Sequence, residues 1–362
     1  MFKSLNIGFK LIISVSIVLI LGLAMLIFII SNRVNNNITK NTEEILYITS
    51  EKYSNNIEGI FQEMISLSQS MASTLIDAFK ADVKEDWDID NITGIITNTL
   101  DNSAYANYTY MYLIDPPSYF KEESKLFLTQ GGKFVMLYND EDIYNKGGIR
   151  AIQSTDNIVD FSTIKEALTT ARYGDNKVYI SDPEKISLGD ETFIGANITI
   201  PLFDKNKQIV GVIGMVFNFD SMSKKFLDPK SVKYEGELKY LVTSSGIIGI
   251  YNDRNVLLKN LMSINPNAQS KNAYNAIKES KNGVFDFIDM YSNDSYISVN
   301  SFDIHGKKWS ILISAPKDSI FKPLKNLQLI IAFASIVFVF LFIIILYYCV
   351  QIIITSKLPI IQ

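Results

Sequence analysis

A chain of 362 residues with 34 Lys+Arg against 38 Asp+Glu has a net charge of -4 and no basic stripe, which excludes a nucleic-acid partner. Its single cysteine, Cys349, and single histidine, His305, exclude a disulfide-stapled secreted fold and a zinc site. A Ser-His-Asp or Cys-His catalytic set would have to use His305, which lies in the turn sequence Asp303-Ile-His-Gly-Lys-Lys308. No Gly-x-Gly-x-x-Gly or P-loop pattern occurs, so neither an enzyme nor a cofactor is expected.

Two uncharged apolar runs, residues 11–30 and 327–354, sit at opposite ends. Each reaches the roughly 20 residues that a helix needs to cross a bilayer. The first run is too long for a signal-peptide core, and the Ser-Asn-Arg-Val-Asn-Asn-Asn that follows has no Ala-x-Ala-like cleavage site, so a retained anchor is expected. Two spans leave residues 1–10 and 355–362 on one side of the membrane and residues 31–326 on the other. Lys3, Lys10 and Lys357 are fewer than Arg33, Lys40, Lys317, Lys322 and Lys325, so a naive charge count opposes placing the large segment outside. Long domains translocate largely regardless of charge, and the orientation rests on architecture instead.

After the first span, Ile60, Met64, Leu67, Met71, Leu75 and Ala78 recur at steps of three and four. This predicts one helix through residues 31–81. Its stripe can pack on its own domain or form a homodimer seam through Ile60, Met64, Leu67 and Met71.

Then the texture changes. Tyr108-Thr-Tyr-Met-Tyr-Leu-Ile114, closed by Asp115-Pro-Pro117, reads as a strand and a turn. Residues 125–129 and 133–138 flank Gly131-Gly132 and read as a hairpin, and residues 161–172 as a short helix. Residues 177–180, 192–203 and 208–219 read as strands, the last two joined across Asp204-Lys-Asn-Lys207. Asp140-Glu-Asp142 lacks calcium-loop spacing and reads as a solvated loop. The second half repeats the plan: a hairpin over residues 238–251, a helix near 273–280, and strands at 284–290, 295–302 and 309–315. The class is α+β: a long N-terminal stalk helix and two PAS-like antiparallel-sheet modules in series, flanked by two transmembrane helices.

The ordered set resembles a double Cache sensor. Gly195-Ala-Asn-Ile-Thr-Ile-Pro-Leu-Phe-Asp204 and Gln208-Ile-Val-Gly-Val-Ile-Gly-Met-Val-Phe-Asn-Phe-Asp220 resemble the paired final strands of a distal module. Trp309-Ser-Ile-Leu-Ile-Ser-Ala-Pro316 resembles the closing strand of a proximal one, and Thr355-Ser-Lys-Leu-Pro-Ile-Ile361 the opening of a HAMP domain. The resemblance implies a distal module at residues 82–230, a proximal module at 231–326 and a HAMP-like start at 355–362. It implies a ligand-binding chemoreceptor region in the bacterial inner membrane, its sensor in the periplasm. The sensor of a histidine kinase or cyclase, or a truncated membrane protein without output, is the alternative.

The family places its ligand in the distal module, where amino-acid-binding members use an Arg-x-Trp-Tyr element, a Tyr-x-Asp and a last-strand Asp. Here Asp160-Phe-Ser-Thr-Ile164, Glu184-Lys-Ile186 and Val216 stand at those places. An ammonium group would lack its carboxylates, so a short carboxylate or a neutral polar metabolite is expected in preference to an amino acid. The candidate ligand-binding residues are Tyr110, Tyr112, Tyr138, Arg150, Glu184, Asn197 and Val216, with Arg150 as a carboxylate clamp. No metal ligand is expected.

Overall fold

A computed structural model describes residues 7–79, 86–123, 125–143 and 145–356. The described residues divide into two compact units, split after Ile45 and before Pro316: the two flanking stretches form one unit and the stretch between them the other.

No proline interrupts the first helix, α1 (Ile7–Ala78), which runs for 72 residues. Residues 80–85, where the expected stalk ends, lie outside the described residues. Asp88 then caps α2 (Ile89–Asp101) by accepting from the amides of Asp90 and Asn91, and the four-residue spacing of Ile92, Ile96 and Leu100 buries one face.

The first sheet has seven strands. In chain order the elements are β1 (Tyr108–Leu113), α3 (Ser118–Glu123), β2 (Phe134–Asp140), β3 (Ile149–Ala151), α4 (Asp156–Val159) and α5 (Ser162–Thr170). They continue with β4 (Tyr179–Ile180), β5 (Glu184–Leu188), β6 (Glu191–Phe203) and β7 (Ile209–Asn218). The sheet order is β3-β2-β1-β7-β6-β4, with β5 also on β6. The hairpin expected at residues 125–138 is corrected. Lys125–Phe127 is a 3-10 turn, Leu128 makes one bridge to Phe134, and β2 pairs with β1 and β3 instead. Asp140 is corrected too. It is buried at the end of β2, where its carboxylate accepts from the Asp142 amide at 2.9 Å, and burial raises its pKa.

Asn218 caps α6 (Phe219–Phe226), which leads to the second sheet. Its elements are β8 (Leu238–Thr243), β9 (Ile248–Ile250), α7 (Leu261–Ile264), α8 (Lys271–Glu279), β10 (Gly283–Ile288), β11 (Asp294–Ile304) and β12 (Lys307–Pro316). The order is β10-β11-β12-β8-β9. In both sheets the first strand lies between the second strand and the last. The β11–β12 turn carries His305 in a left-handed conformation, exposed, beside the Asp303 carboxylate that accepts from Gly306.

The apolar stripe of α1 is spent inside the protomer. Ile60, Met64 and Met71 are 6%, 0% and 1% exposed, and only Leu67 is half-buried, so these positions do not offer a dimer seam. Phe61 shows where that face goes. Its ring meets Phe217 of β7 at 4.2 Å, Trp309 of β12 at 5.4 Å and Phe302 of β11 at 6.4 Å.

The chain closes with α9 (Lys317–Ser356). In the terminal unit, Gln328 donates to the Ser31 hydroxyl, while Val18, Phe28, Leu329, Phe333 and Ile336 are exposed. The two helices are long and apolar enough to cross a membrane. Residues 357–362, most of the HAMP-like segment, lie outside the described residues.

Candidate functional site

Strand periodicity decides which side chains share a site. Tyr108, Tyr110 and Tyr112 alternate on β1 toward the side covered by α5, opposite Val216, Gly214 and Val212 of β7. Asn197 and Thr199 follow on β6, facing Val216 and Gly214 in the register. The core on this side contains Tyr108, Tyr110, Val135, Leu137, Ile164, Ile186, Phe193, Val212 and Val216, with Tyr112 packed at its margin. Gly214 makes the arrangement possible, because a Cβ there would collide with the Ile198 carbonyl and the Tyr110 ring.

A chain of polar groups threads this apolar core. The Tyr110 hydroxyl lies 2.6 Å from the Thr199 hydroxyl, which is 2.7 Å from that of Thr163 on α5. Thr163 donates to the Asn197 carbonyl oxygen, and the Asn197 amide donates to the Glu184 carboxylate at 2.6 Å. Ser181 fixes the backbone: its hydroxyl accepts from the Asn197 amide at 3.0 Å, and its own amide donates to the Asn197 carbonyl at 3.0 Å. Tyr110, Asn197 and Thr199 are all 0% exposed, so each polar atom depends on its protein partner. Burial drives the Tyr110 phenol far above its ordinary range. Burial likewise raises the Glu184 carboxyl, against the lowering effect of Ser181 and Asn197. The cluster therefore combines an amide, hydroxyls and a carboxyl whose charged form burial disfavours.

Tyr110, Glu184, Asn197 and Val216 come together, and Tyr112 stands half-buried beside them with its phenol raised by burial. Two expected members do not. Tyr138 pairs with Thr109, so its side chain points to the opposite side of the sheet, where its hydroxyl is 3.1 Å from Thr93 of α2. Burial pushes that phenol up to about 12. Arg150 lies on the edge strand β3, its side chain 69% exposed and 3.1 Å from Glu141, so the expected carboxylate clamp is not formed. Thr163 and Thr199 were not foreseen. Thr199 was open to discovery, being two residues from Asn197 on one strand, but nothing in the sequence singles out Thr163. A cleft of about 470 Å³ lies elsewhere, between α1 at Gln69 and Ser73 and the turn after α5 at Arg172 and Tyr173, and does not touch the network.

Comparison with known proteins gives a consistent picture. Residues 92–224 match the model of the methyl-accepting chemotaxis protein-like, first PDC sensor domain. The periplasmic sensory domain of the Campylobacter jejuni chemoreceptor Tlp1 is 51% identical over 79% of this chain and 99% of its own length, with a TM-score of 0.76. A methyl-accepting chemotaxis protein X shares the fold at 13% identity over 76% of this chain and 99% of its own, with a TM-score of 0.57. The ligand-binding domain of the Pseudomonas aeruginosa amino acid chemoreceptor PctB, in complex with L-Gln, is 17% identical over 77% of this chain and 93% of its own, with a TM-score of 0.50. No curated protein matches the chain.

Proposed function

Because the chain belongs to the Cache/PDC-type chemoreceptor sensor domains, we propose that its first sheet binds a small extracellular ligand beneath α5 and signals across a membrane through α9. On this reading residues 31–326 are periplasmic, between two spans of the inner membrane, and the protein works as a homodimer coupled to a cytoplasmic output. The observation that carries it is the linked set Tyr110, Thr199, Thr163, Asn197 and Glu184, held in an otherwise apolar core. A polar chain in such a place costs stability that apolar packing would not. Ligand recognition accounts for its presence, because a ligand can exchange partners with these groups as α5 moves.

The five side chains include no cation, so of the two expected ligand classes a neutral polar metabolite fits better than a free carboxylate. Ile186 and Val216 are buried apolar side chains where amino-acid-binding relatives place carboxylates, which counts against an α-amino acid. The likeness to PctB is one of fold and does not carry its ligand over. The test is a thermal-shift screen of the full chain in nanodiscs against amino acids, organic acids and nucleobases, followed by calorimetry on Thr163→Val. A neutral ligand whose affinity falls at least tenfold in Thr163→Val supports the site. Tight binding of ordinary L-amino acids refutes the ligand class, and binding unaffected by Thr163→Val refutes the location.

A further inference from the structure

The cleft of about 470 Å³ between α1 and the turn that follows α5 takes no part in the network beneath that helix. Its volume lies within the roughly 300–1,000 Å³ of small-molecule sites. Gln69, Ala72, Ser73 and Ile76 reach it at steps of three and four, which puts them on one face of α1. Ile200, Pro201 and Phe203, at the end of β6, close it from the sheet. Ala72, Ile200 and Phe203 are 3%, 8% and 7% exposed, so the base of the cleft is apolar and packed. The rim is polar. Among the described residues the side chains of Gln69, Ser73, Arg172 and Asn176 have no hydrogen-bond or ion-pair partner. An apolar base with a few convergent polar groups at its edge is the usual make-up of a small-molecule site.

The charges at the mouth decide what kind of molecule fits. Lys177 is already engaged: it pairs with Glu166 at 3.0 Å, lies over the Tyr179 ring at 4.4 Å and feels the Asp175 carboxylate. Lys207 stands over the Tyr173 ring at 5.4 Å, and that ring meets Phe203 edge-on at 5.7 Å. Arg150 and Arg254 each hold a carboxylate, Glu141 and Asp220, whereas Arg172 holds none. Arg172, Lys177 and Lys207 are thus set against Glu166 and Asp175, and the guanidinium is the cation left over. A guanidinium presents a planar fork of donors that matches a carboxylate. Gln69 and Ser73 add an amide and a hydroxyl from the opposite wall.

We propose that this cleft is a second ligand site, for a monocarboxylate with a small apolar body. The acid pairs with Arg172, and the body rests on Ala72, Ile200 and Phe203. The site is separate from the network beneath α5, takes a different class of ligand and stands or falls independently of it. Its occupant touches α1 directly.

The test is calorimetry on the full chain in nanodiscs. Isovalerate and phenylacetate are the probes, isovaleramide and phenylacetamide their uncharged isosteres, and phenethylamine the control of opposite charge. Both acids should bind saturably, and both amides and the amine more weakly. Arg172 is exposed, so its pair with the acid is partly screened and Arg172→Gln should lower acid affinity only about fivefold. Ser73→Phe, at an exposed helix position, fills the cleft and should lower it at least tenfold. Arg150→Gln removes an exposed arginine far from the cleft lining and should leave it unchanged. If Ser73→Phe fails to fold, Arg172→Gln against Arg150→Gln decides alone. The absence of saturable acid binding would overturn the proposal, as would equal binding of the amides, tighter binding of the amine, or unchanged affinity in Arg172→Gln. An equal loss in Arg150→Gln would show non-specific attraction of anions and would overturn it as well.

Discussion

Replacing Asn197 by alanine cuts the polar chain at its centre, and the cost can be worked from the contacts. The side chain is fully buried, receives the Thr163 hydroxyl and donates to Glu184 at 2.6 Å. Asn197→Ala leaves the Thr163 donor without its acceptor, at about 1–3 kcal/mol for a buried unsatisfied group. It also removes a bond to a carboxyl, worth roughly 1.5–3 kcal/mol when fully shielded. Glu184 is only partly buried, so water replaces some of that bond and the lower end applies. The sum is about 3 kcal/mol, or about 6–12 °C at roughly 2–4 °C per kcal/mol for a domain of this size. Thermal unfolding of the full chain in nanodiscs, followed by near-ultraviolet circular dichroism, reads it directly. Asn197→Asp should be worse than alanine near neutral pH, where two carboxylates would face each other, and should recover in acid. A fall below about 2 °C in Asn197→Ala would show that the network contributes no cooperative stability, contrary to the contacts it makes.

Other expectations follow from the same geometry. The folded-state pKa of Glu184 lies above its ordinary 4.5, so the fold favours the protonated carboxyl. That contribution is complete below 4.5 and is lost as pH rises through the folded value. Glu184→Gln should therefore gain stability over wild type as pH rises through that window, and urea unfolding at a series of pH values that shows a constant difference would contradict this. Phe61→Ala should cost about 3–5 kcal/mol, because the ring is fully buried among partners that cannot close the gap, and chemical denaturation measures it. Lys205→Cys, in the exposed β6–β7 turn, should react with an impermeant maleimide in intact spheroplasts, and protection there would reverse the proposed orientation.

Much of the architecture is written in local pattern. Tyr108 to Leu113 and Leu238 to Thr243 are dense in aromatic and β-branched residues, and both form strands where that composition predicts them. α2 was missed although Asp88 and the spacing of Ile92, Ile96 and Leu100 signalled it, because its Thr and Gly content masks the helix. β5 was missed because Glu184 and Lys185 open it, and only Ile186 and Leu188 declare the buried side. The site was half legible. Tyr110 and Tyr112 share a side by periodicity alone, whereas assigning Tyr138 requires the β1–β2 register, which composition does not specify. Arg150 misled because a guanidinium after two glycines resembles a closing loop, yet residues 149–151 pair with β2 and turn it outward.

β7 is two-faced at a single peptide unit. Val216 belongs to the core beneath α5, and the next residue, Phe217, rests on Phe61 of the stalk. The same Phe61 also touches β11 and β12 through Phe302 and Trp309. On the proposed function, a displacement of β7 on ligand binding would reach α1 without passing through any loop, and it would arrive where the other sheet also bears on the helix. Linkage then works in both directions. If two positions of Phe61 differ in ligand affinity by some factor, whatever grips α1 and selects one of them changes that affinity by the same factor. Sensitivity becomes a property set from the helix as much as from the binding residues, so variants along α1 that touch no ligand should shift the concentration at which the protein responds.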